Sequence, residues 1–96
     1  MVNKKRLIAL TRKLIQLNSE NPPGNEAAIA GFVKRYLSGM GVESKIYEFG
    51  KNRSNLVALI KGEEEKHSLL ITPHLDTVPA GGGWGFLPFS GKLHRG

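Results

Sequence analysis

Apolar residues recur at helical spacing over the first part of the chain. Four leucines stand three or four positions apart between residues 4 and 17, opposite a face of lysine, arginine and glutamine: Leu7, Leu10, Leu14 and Leu17. This spacing predicts an amphipathic helix whose apolar face covers a larger body. Asn3 precedes the helix as a candidate N-cap, because an asparagine side chain can accept a hydrogen bond from the first free amides of a helix.

A second helix is predicted after a turn-forming segment. Residues 18–26 read NSENPPGNE, and the two prolines cannot continue a helix. Asn25 can cap the new helix, which we expect to run to about Ser38 and to stop at Gly39 or Gly41. One side of this helix is apolar and is formed by Ile29, Phe32, Val33, Tyr36, Leu37 and Met40.

Three shorter apolar runs follow, and their length indicates strands. They are VESKIYEF at 42–49, NLVALIK at 55–61 and SLLIT at 68–72. The first run has the mixed composition of an edge strand, whereas the other two are nearly continuous in apolar residues, as strands covered on both faces are. We therefore predict an α/β protein in which two N-terminal helices pack on a three-stranded, incomplete mixed sheet.

Composition indicates one compact unit. The 96 residues are 40% hydrophobic and 23% charged, which is ordinary for a single globular domain. The chain has no cysteine, so a metal site would have to use histidine and carboxylates. Arg12 and Lys13 interrupt the apolar residues of the N-terminal segment, which contains no membrane-length run. We expect a cytoplasmic protein with no membrane partner.

The net charge of +6 would suit an anionic partner such as nucleic acid. The basic residues are dispersed beyond the first predicted helix, and the acidic run GEEEK at 62–66 partly offsets them. No nucleic-acid-binding motif accompanies the charge, so we expect a solvated basic face and no nucleic-acid partner. A small basic nucleic-acid-binding protein stays as an alternative that a salt-dependent affinity would mark.

The clearest candidate for chemistry is a His-x-Asp pattern after the third apolar run. His74 falls where that strand is expected to end, and sites in open α/β sheets form beyond the carboxyl ends of strands. A histidine that binds zinc usually donates its other ring N–H to a carboxylate, and Asp76 is near enough in sequence to accept it. The alternative is a polar cap on a strand end. His67 and His94 are expected to face solvent.

A longer string around this pattern carries a family resemblance. The segment LLITPHLDTVPAGGGWGFLPFSGKLHRG, with the NPPGNE turn and the SNLVALIKG strand, resembles the start of the di-zinc aminoacylase and carboxypeptidase family. That family includes succinyl-diaminopimelate desuccinylase, acetylornithine deacetylase and glutamate carboxypeptidase. The resemblance covers essentially the whole chain. It implies that residues 1–96 are the N-terminal part of the α/β/α catalytic domain of a zinc hydrolase.

The resemblance also implies roles for single residues. His74 matches a zinc ligand, and Asp76 matches the active-site carboxylate that orients this histidine and tunes the metal. Trp84 and Phe89 match a loop that is mainly structural, and Pro73 departs from the glycine that family members often carry before the histidine. The family holds two zinc ions per site and cleaves small N-acyl amino acids or C-terminal peptide bonds.

The other active-site residues of the family have no match in this string. They are the aspartate that bridges both zinc ions, a glutamate general base and two further ligands. Because a catalytic zinc site takes about three protein ligands, we expect zinc binding that is weak at most and no activity from these residues alone. The other class of function is a non-catalytic module that binds itself or a partner through the open edge of the sheet. In both cases we expect a homo-oligomer.

Overall fold

Two helices and two strands make up the regular structure of the residues that the computed structural model describes, 1–64 and 66–96. Along the chain they are α1 (Lys4–Ile15), α2 (Glu26–Gly39), β1 (Ser44–Gly50) and β2 (Arg53–Ala58). The predicted α/β class is confirmed. Neither helix combines the length and the apolar character that crossing a membrane requires.

Helix α1 begins as the sequence indicates but packs elsewhere than predicted. The Asn3 side chain accepts a hydrogen bond from the Arg6 backbone N–H at 3.0 Å. Arg12 Nε donates to the carbonyl oxygen of Gly91 at 2.6 Å, and Gln16 Nε2 donates to that of Ser90 at 3.1 Å. Since α1 is tied to this later segment, only α2 packs extensively on the strands within the described residues.

Helix α2 supplies the small core. Its Ile29 and Ala30 are buried and the helix packs against both strands. The predicted apolar face is otherwise half-buried, except that Met40 lies beyond the helix end and is exposed. Asn25 occupies the predicted N-cap position, although its side chain makes no capping hydrogen bond.

Strands β1 and β2 form an antiparallel hairpin in which Ile46 stands opposite Leu56. The predicted third strand is the main correction. Residues 68–72 form no strand and pair with no strand among the described residues, so the sheet is two-stranded and antiparallel instead of three-stranded and mixed. A strand needs a neighbour for its backbone groups, and an apolar run by itself does not provide one.

The chain beyond residue 72 docks instead on the loop that precedes α2. Glu20 and Thr77 form an isolated parallel bridge. The Asn21 N–H donates to the Thr77 carbonyl at 2.8 Å, and the Thr77 N–H donates to the Ser19 carbonyl at 3.1 Å. This bridge brings the NSENPPGNE segment to the His-x-Asp segment.

Candidate functional site

His74 and Asp76 lie close together on the segment that follows residue 72. The Nδ1 atom of His74 is 2.7 Å from the backbone oxygen of Asp76 and 3.2 Å from its carboxylate Oδ1. Both oxygens are acceptors, so Nδ1 carries the proton of the neutral ring and Nε2 carries the lone pair. The structure brings the two predicted site residues together, and their roles stay predictions.

The surroundings of the two side chains differ. The His74 side chain is 82% exposed, whereas that of Asp76 is 32% exposed. The second carboxylate oxygen of Asp76, Oδ2, accepts a hydrogen bond from Asn21 Nδ2 at 3.0 Å. This bond is the largest cause that lowers the pKa of Asp76; partial burial opposes it, and His74 adds to it. The carboxylate is therefore charged at neutral pH.

Three residues of the loop before α2, which we name the loop clamp (Ser19, Glu20 and Asn21), hold the site segment. The Ser19 side chain is almost fully buried, and its hydroxyl donates to the carbonyl oxygen of Leu75 at 2.8 Å. Together with the parallel bridge and the Asn21 side chain, this bond attaches the loop clamp to residues 75–77. The sequence indicated a turn here but gave no sign of its partner.

An ion pair anchors the other end of the same loop. Arg53 Nη2 is 2.8 Å from Glu26 Oε1, and Arg53 Nε donates to Glu26 Oε2 at 2.9 Å. Glu26 is buried, and the hydrogen bond from Arg53 is the largest cause that lowers its pKa, against the opposing effect of burial. The sequence did not indicate this ion pair, since the two partners lie 27 positions apart.

Gly24 makes room for this ion pair. Its φ is +84°, which L side chains rarely adopt, and a Cβ atom there would lie 2.6 Å from Arg53 Nε. The Arg53 side chain therefore crosses the loop where only a glycine leaves space.

An open cleft of about 620 Å³ separates β2 from residues 70–76. His74 and Asp76 line it on one side, and Asn55, Leu56 and Val57 line it on the other. The candidate site therefore opens onto β2, which pairs only with β1 among the described residues.

His74 and Asp76 have no third metal-binding partner in residues 1–64 and 66–96, where no three histidine or acidic side chains come together. His67 is exposed, and the His94 ring lies 5.0 Å from that of Phe86, centroid to centroid. Trp84 is exposed and donates its indole N–H to the Ala80 carbonyl at 2.8 Å, within its own loop. The site thus offers one imidazole and one carboxylate beside it.

Comparison with known proteins gives several relatives. The chain is 36% identical over 87 residues to the uncharacterized protein YqjE of Bacillus subtilis, covering 86% of this chain and 23% of that protein. It is 28% identical over 99 residues to an N-formyl-4-amino-5-aminomethyl-2-methylpyrimidine deformylase of Halalkalibacterium halodurans, and the match covers 98% of this chain and 23% of the deformylase. It is 30% identical over 94 residues to a peptidase M20 domain-containing protein of Schizosaccharomyces pombe, and the match covers 92% of this chain and 22% of that protein.

These relatives define a class and no particular member. Apart from YqjE, their names are those of a peptidase M20 domain-containing protein, two probable carboxypeptidases and a deformylase, so the similarity is to the peptidase and amidohydrolase kind of protein. The chain spans about a fifth of the length of the curated relatives it matches, between 20% and 23%. No family model and no solved structure matches the chain.

Proposed function

We propose that residues 1–96 belong to the catalytic domain of a zinc-dependent amidohydrolase or peptidase and that His74 is one of its zinc ligands. The geometry of His74 and Asp76 carries this proposal. Nδ1 faces two oxygens of Asp76 at 2.7 and 3.2 Å, which leaves Nε2, on an exposed ring, without a partner among the described residues. A histidine ligand needs this arrangement, because one ring nitrogen binds the metal while the other donates to an acceptor.

Asp76 acts through His74 in this proposal. The backbone oxygen of Asp76 is the nearer acceptor for the Nδ1 proton, at 2.7 Å, and the carboxylate at 3.2 Å adds the negative charge that makes Nε2 more basic and strengthens its bond to a metal. Zinc, when bound, would polarise the carbonyl group of the substrate as a Lewis acid. The names of the relatives support cleavage of an amide bond, so we propose an N-acyl amino acid or a peptide as the substrate class of the completed site.

The described residues provide an incomplete metal site. A catalytic zinc takes about three protein ligands, and within 1–64 and 66–96 only His74 has a free ring nitrogen backed by a carboxylate. We therefore propose that the 96-residue chain binds zinc weakly and that other segments complete the site.

The experiment that tests the zinc proposal uses the three histidines as internal controls. Ring nitrogen signals of the ¹⁵N-histidine-labelled chain are followed by NMR during a zinc titration. We expect the Nε2 signal of His74 to shift at a lower zinc concentration than any signal of His67 or His94. His74→Ala should abolish this first shift, and the matched His94→Ala should retain it. A signal of His67 or His94 that shifts at the same or a lower zinc concentration than that of His74 would overturn the proposal.

A second candidate function is self-association, and one observation favours it. Leu69, Leu70 and Ile71 form a continuous run whose exposed fractions lie between 77% and 86%, and Leu59 and Ile60 are also exposed. Contiguous exposed apolar surface usually marks an interaction site. We propose a second copy of this chain as the partner, because Leu70 and Ile71 line the same cleft as β2, which pairs only with β1 within the described residues, and identical strand edges can pair.

A further inference from the structure

We propose that Asn21 is a positioning residue for the His74–Asp76 pair, so that the loop before α2 belongs to the metal-binding site. This inference rests on the proposed function for its chemical purpose and on the hydrogen bonds of the loop clamp for its geometry.

Asn21 holds the site segment by two separate bonds. Its backbone N–H donates to the Thr77 carbonyl at 2.8 Å, which fixes the chain directly after Asp76. Its side-chain Nδ2 donates to Asp76 Oδ2 at 3.0 Å. One residue therefore fixes both the backbone and the carboxylate of the residue that faces the imidazole.

The side-chain bond directs the carboxylate group. The terminal torsion of an aspartate is broad, so a carboxylate held at neither oxygen turns freely. The carboxylate is planar, and fixing Oδ2 on Asn21 leaves Oδ1 facing His74 Nδ1, at 3.2 Å. Asn21 thus acts on His74 through Asp76 without touching the ring.

Asn21 is itself held from both sides. The buried Ser19 hydroxyl donates to the Leu75 carbonyl at 2.8 Å on one side. The ion pair of Glu26 with Arg53 fixes the start of α2 on the other. Because these anchors determine where the loop lies, the amide of Asn21 meets Asp76 in a fixed position.

The identity of the residue at position 21 matters for this role. An amide nitrogen is a donor and suits a carboxylate, whereas an aspartate at the same place would set two carboxylates against each other. Asn21→Asp has the same shape as the original residue, so it tests the donor while keeping the volume. Asn25→Ala is the matched control, since Asn25 lies in the same loop and its side chain makes no capping hydrogen bond.

The deciding readout needs no metal. The ring ¹⁵N shifts of His74, which report its tautomer, are measured at a pH above the ordinary histidine pKa of about 6.5. We expect Asn21→Ala and Asn21→Asp to move these shifts in the same direction as Asp76→Ala, and Asn25→Ala to leave them unchanged. The double variant Asn21→Ala/Asp76→Ala should shift no further than Asp76→Ala, because Asn21 acts through Asp76. His74 shifts that stay at their original values in both Asn21 variants would overturn the inference.

A second measurement decides the matter if the Asn21 variants fail to fold. In the unsubstituted chain the side-chain NH2 protons of Asn21 should move when Asp76 is replaced by alanine, and unmoved protons would overturn the inference. Zinc titration then separates this inference from the proposed function. If zinc does not bind His74 in preference to the other histidines of the unsubstituted chain, the proposed zinc site is wrong. Changes of the His74 ring shifts in the Asn21 variants would still support the positioning role of Asn21. If the unsubstituted chain does bind zinc at His74, Asn21→Ala should lower the zinc affinity by less than the roughly 10 to 100-fold expected for loss of the Asp76 side chain.

Discussion

Asn21 and Asp76 are joined by a hydrogen bond of 3.0 Å although they stand 55 positions apart in the sequence. The bond links a loop between two helices to the carboxylate beside His74. It explains why two segments that each look like ordinary turns come together at one place.

The first prediction concerns the charge of Asp76. Asp76→Asn should lower the zinc affinity of His74 by roughly 10 to 100-fold, because an amide oxygen can accept the ring N–H but brings no charge that makes Nε2 more basic. Asp76→Ala should lower it at least as much, with the fold retained. The measurement is the zinc titration of the ring signals. Zinc affinity of the Asn variant close to that of the original chain would mean that Asp76 only shapes the turn, for which Asn is a good substitute.

The second prediction is a dependence of stability on pH. Arg53 lowers the pKa of Glu26 in the folded chain, so the folded state binds a proton there less readily than the unfolded state, whose pKa is about 4.3. The stability that the Glu26–Arg53 ion pair contributes is fully present above the unfolded pKa and is lost as the pH falls through the lower pKa of the folded state. Urea denaturation at several acidic pH values should show this loss in the original chain. Glu26→Gln should be less stable at neutral pH and should lack this part of the pH dependence.

A matched control for Glu26 is available on the hairpin. Glu48 is exposed and forms no ion pair in the described residues, so Glu48→Gln should leave the pH profile of unfolding near that of the original chain. Identical profiles for Glu26→Gln and the original chain would show that the ion pair with Arg53 contributes nothing to the pH dependence.

The third prediction concerns Gly24. Gly24→Ala should destabilise the chain by at least about 1 kcal/mol, because a left-handed residue with a side chain costs roughly this amount and Arg53 must also move. Gly39→Ala is the control: Gly39 lies in α2 and a Cβ there would meet no atom within 4 Å, so this change should be neutral or stabilising by up to about 1 kcal/mol. Both values come from denaturant unfolding. Equal stability of the two variants would contradict the geometry around Gly24.

The fourth prediction is self-association. The purified chain should form dimers or larger species by light scattering, and Leu70→Asp should shift it toward monomer because it places a charge in the exposed apolar run. Added salt should strengthen the association, since it screens the repulsion between copies that each carry a net charge of +6. A clean monomer at high protein concentration, at low and high salt, would rule out this candidate function.

The fifth prediction is the absence of turnover. The 96-residue chain with added zinc should hydrolyse neither N-acyl amino acids nor dipeptides at a useful rate, because a catalytic zinc takes about three protein ligands and no three histidine or acidic side chains come together within the described residues. Release of free amino groups is the measurement. Turnover that depends on zinc and disappears in His74→Ala would contradict the expectation of an incomplete site.

The features that the sequence could predict involve residues close together in sequence, and the features that it could not predict involve residues far apart. The two helices are predictable to within a few residues, because helical spacing and the Asn3 cap are local signals. The strand expected at 68–72 is wrong, because pairing depends on a neighbour that an apolar run does not specify. The pairing of His74 with Asp76 could be expected, since two positions separate them. The contacts of Asn21 with Asp76 and of Glu26 with Arg53 could not, because nothing in one segment encodes the position of the other.

The parallel bridge between Glu20 and Thr77 also bears on the order of folding. Helix α1, helix α2 and the hairpin form from residues close together in sequence, whereas the bridge joins residues more than fifty positions apart. Contacts between residues so far apart in sequence form after local ones, because closing the long intervening loop costs conformational entropy before the contact itself contributes favourable free energy. During synthesis the loop clamp leaves the ribosome long before residues 75–77 do. The hydrogen bond of Asn21 to Asp76 is therefore expected to form after the hairpin, and refolding experiments should detect it later than the hairpin.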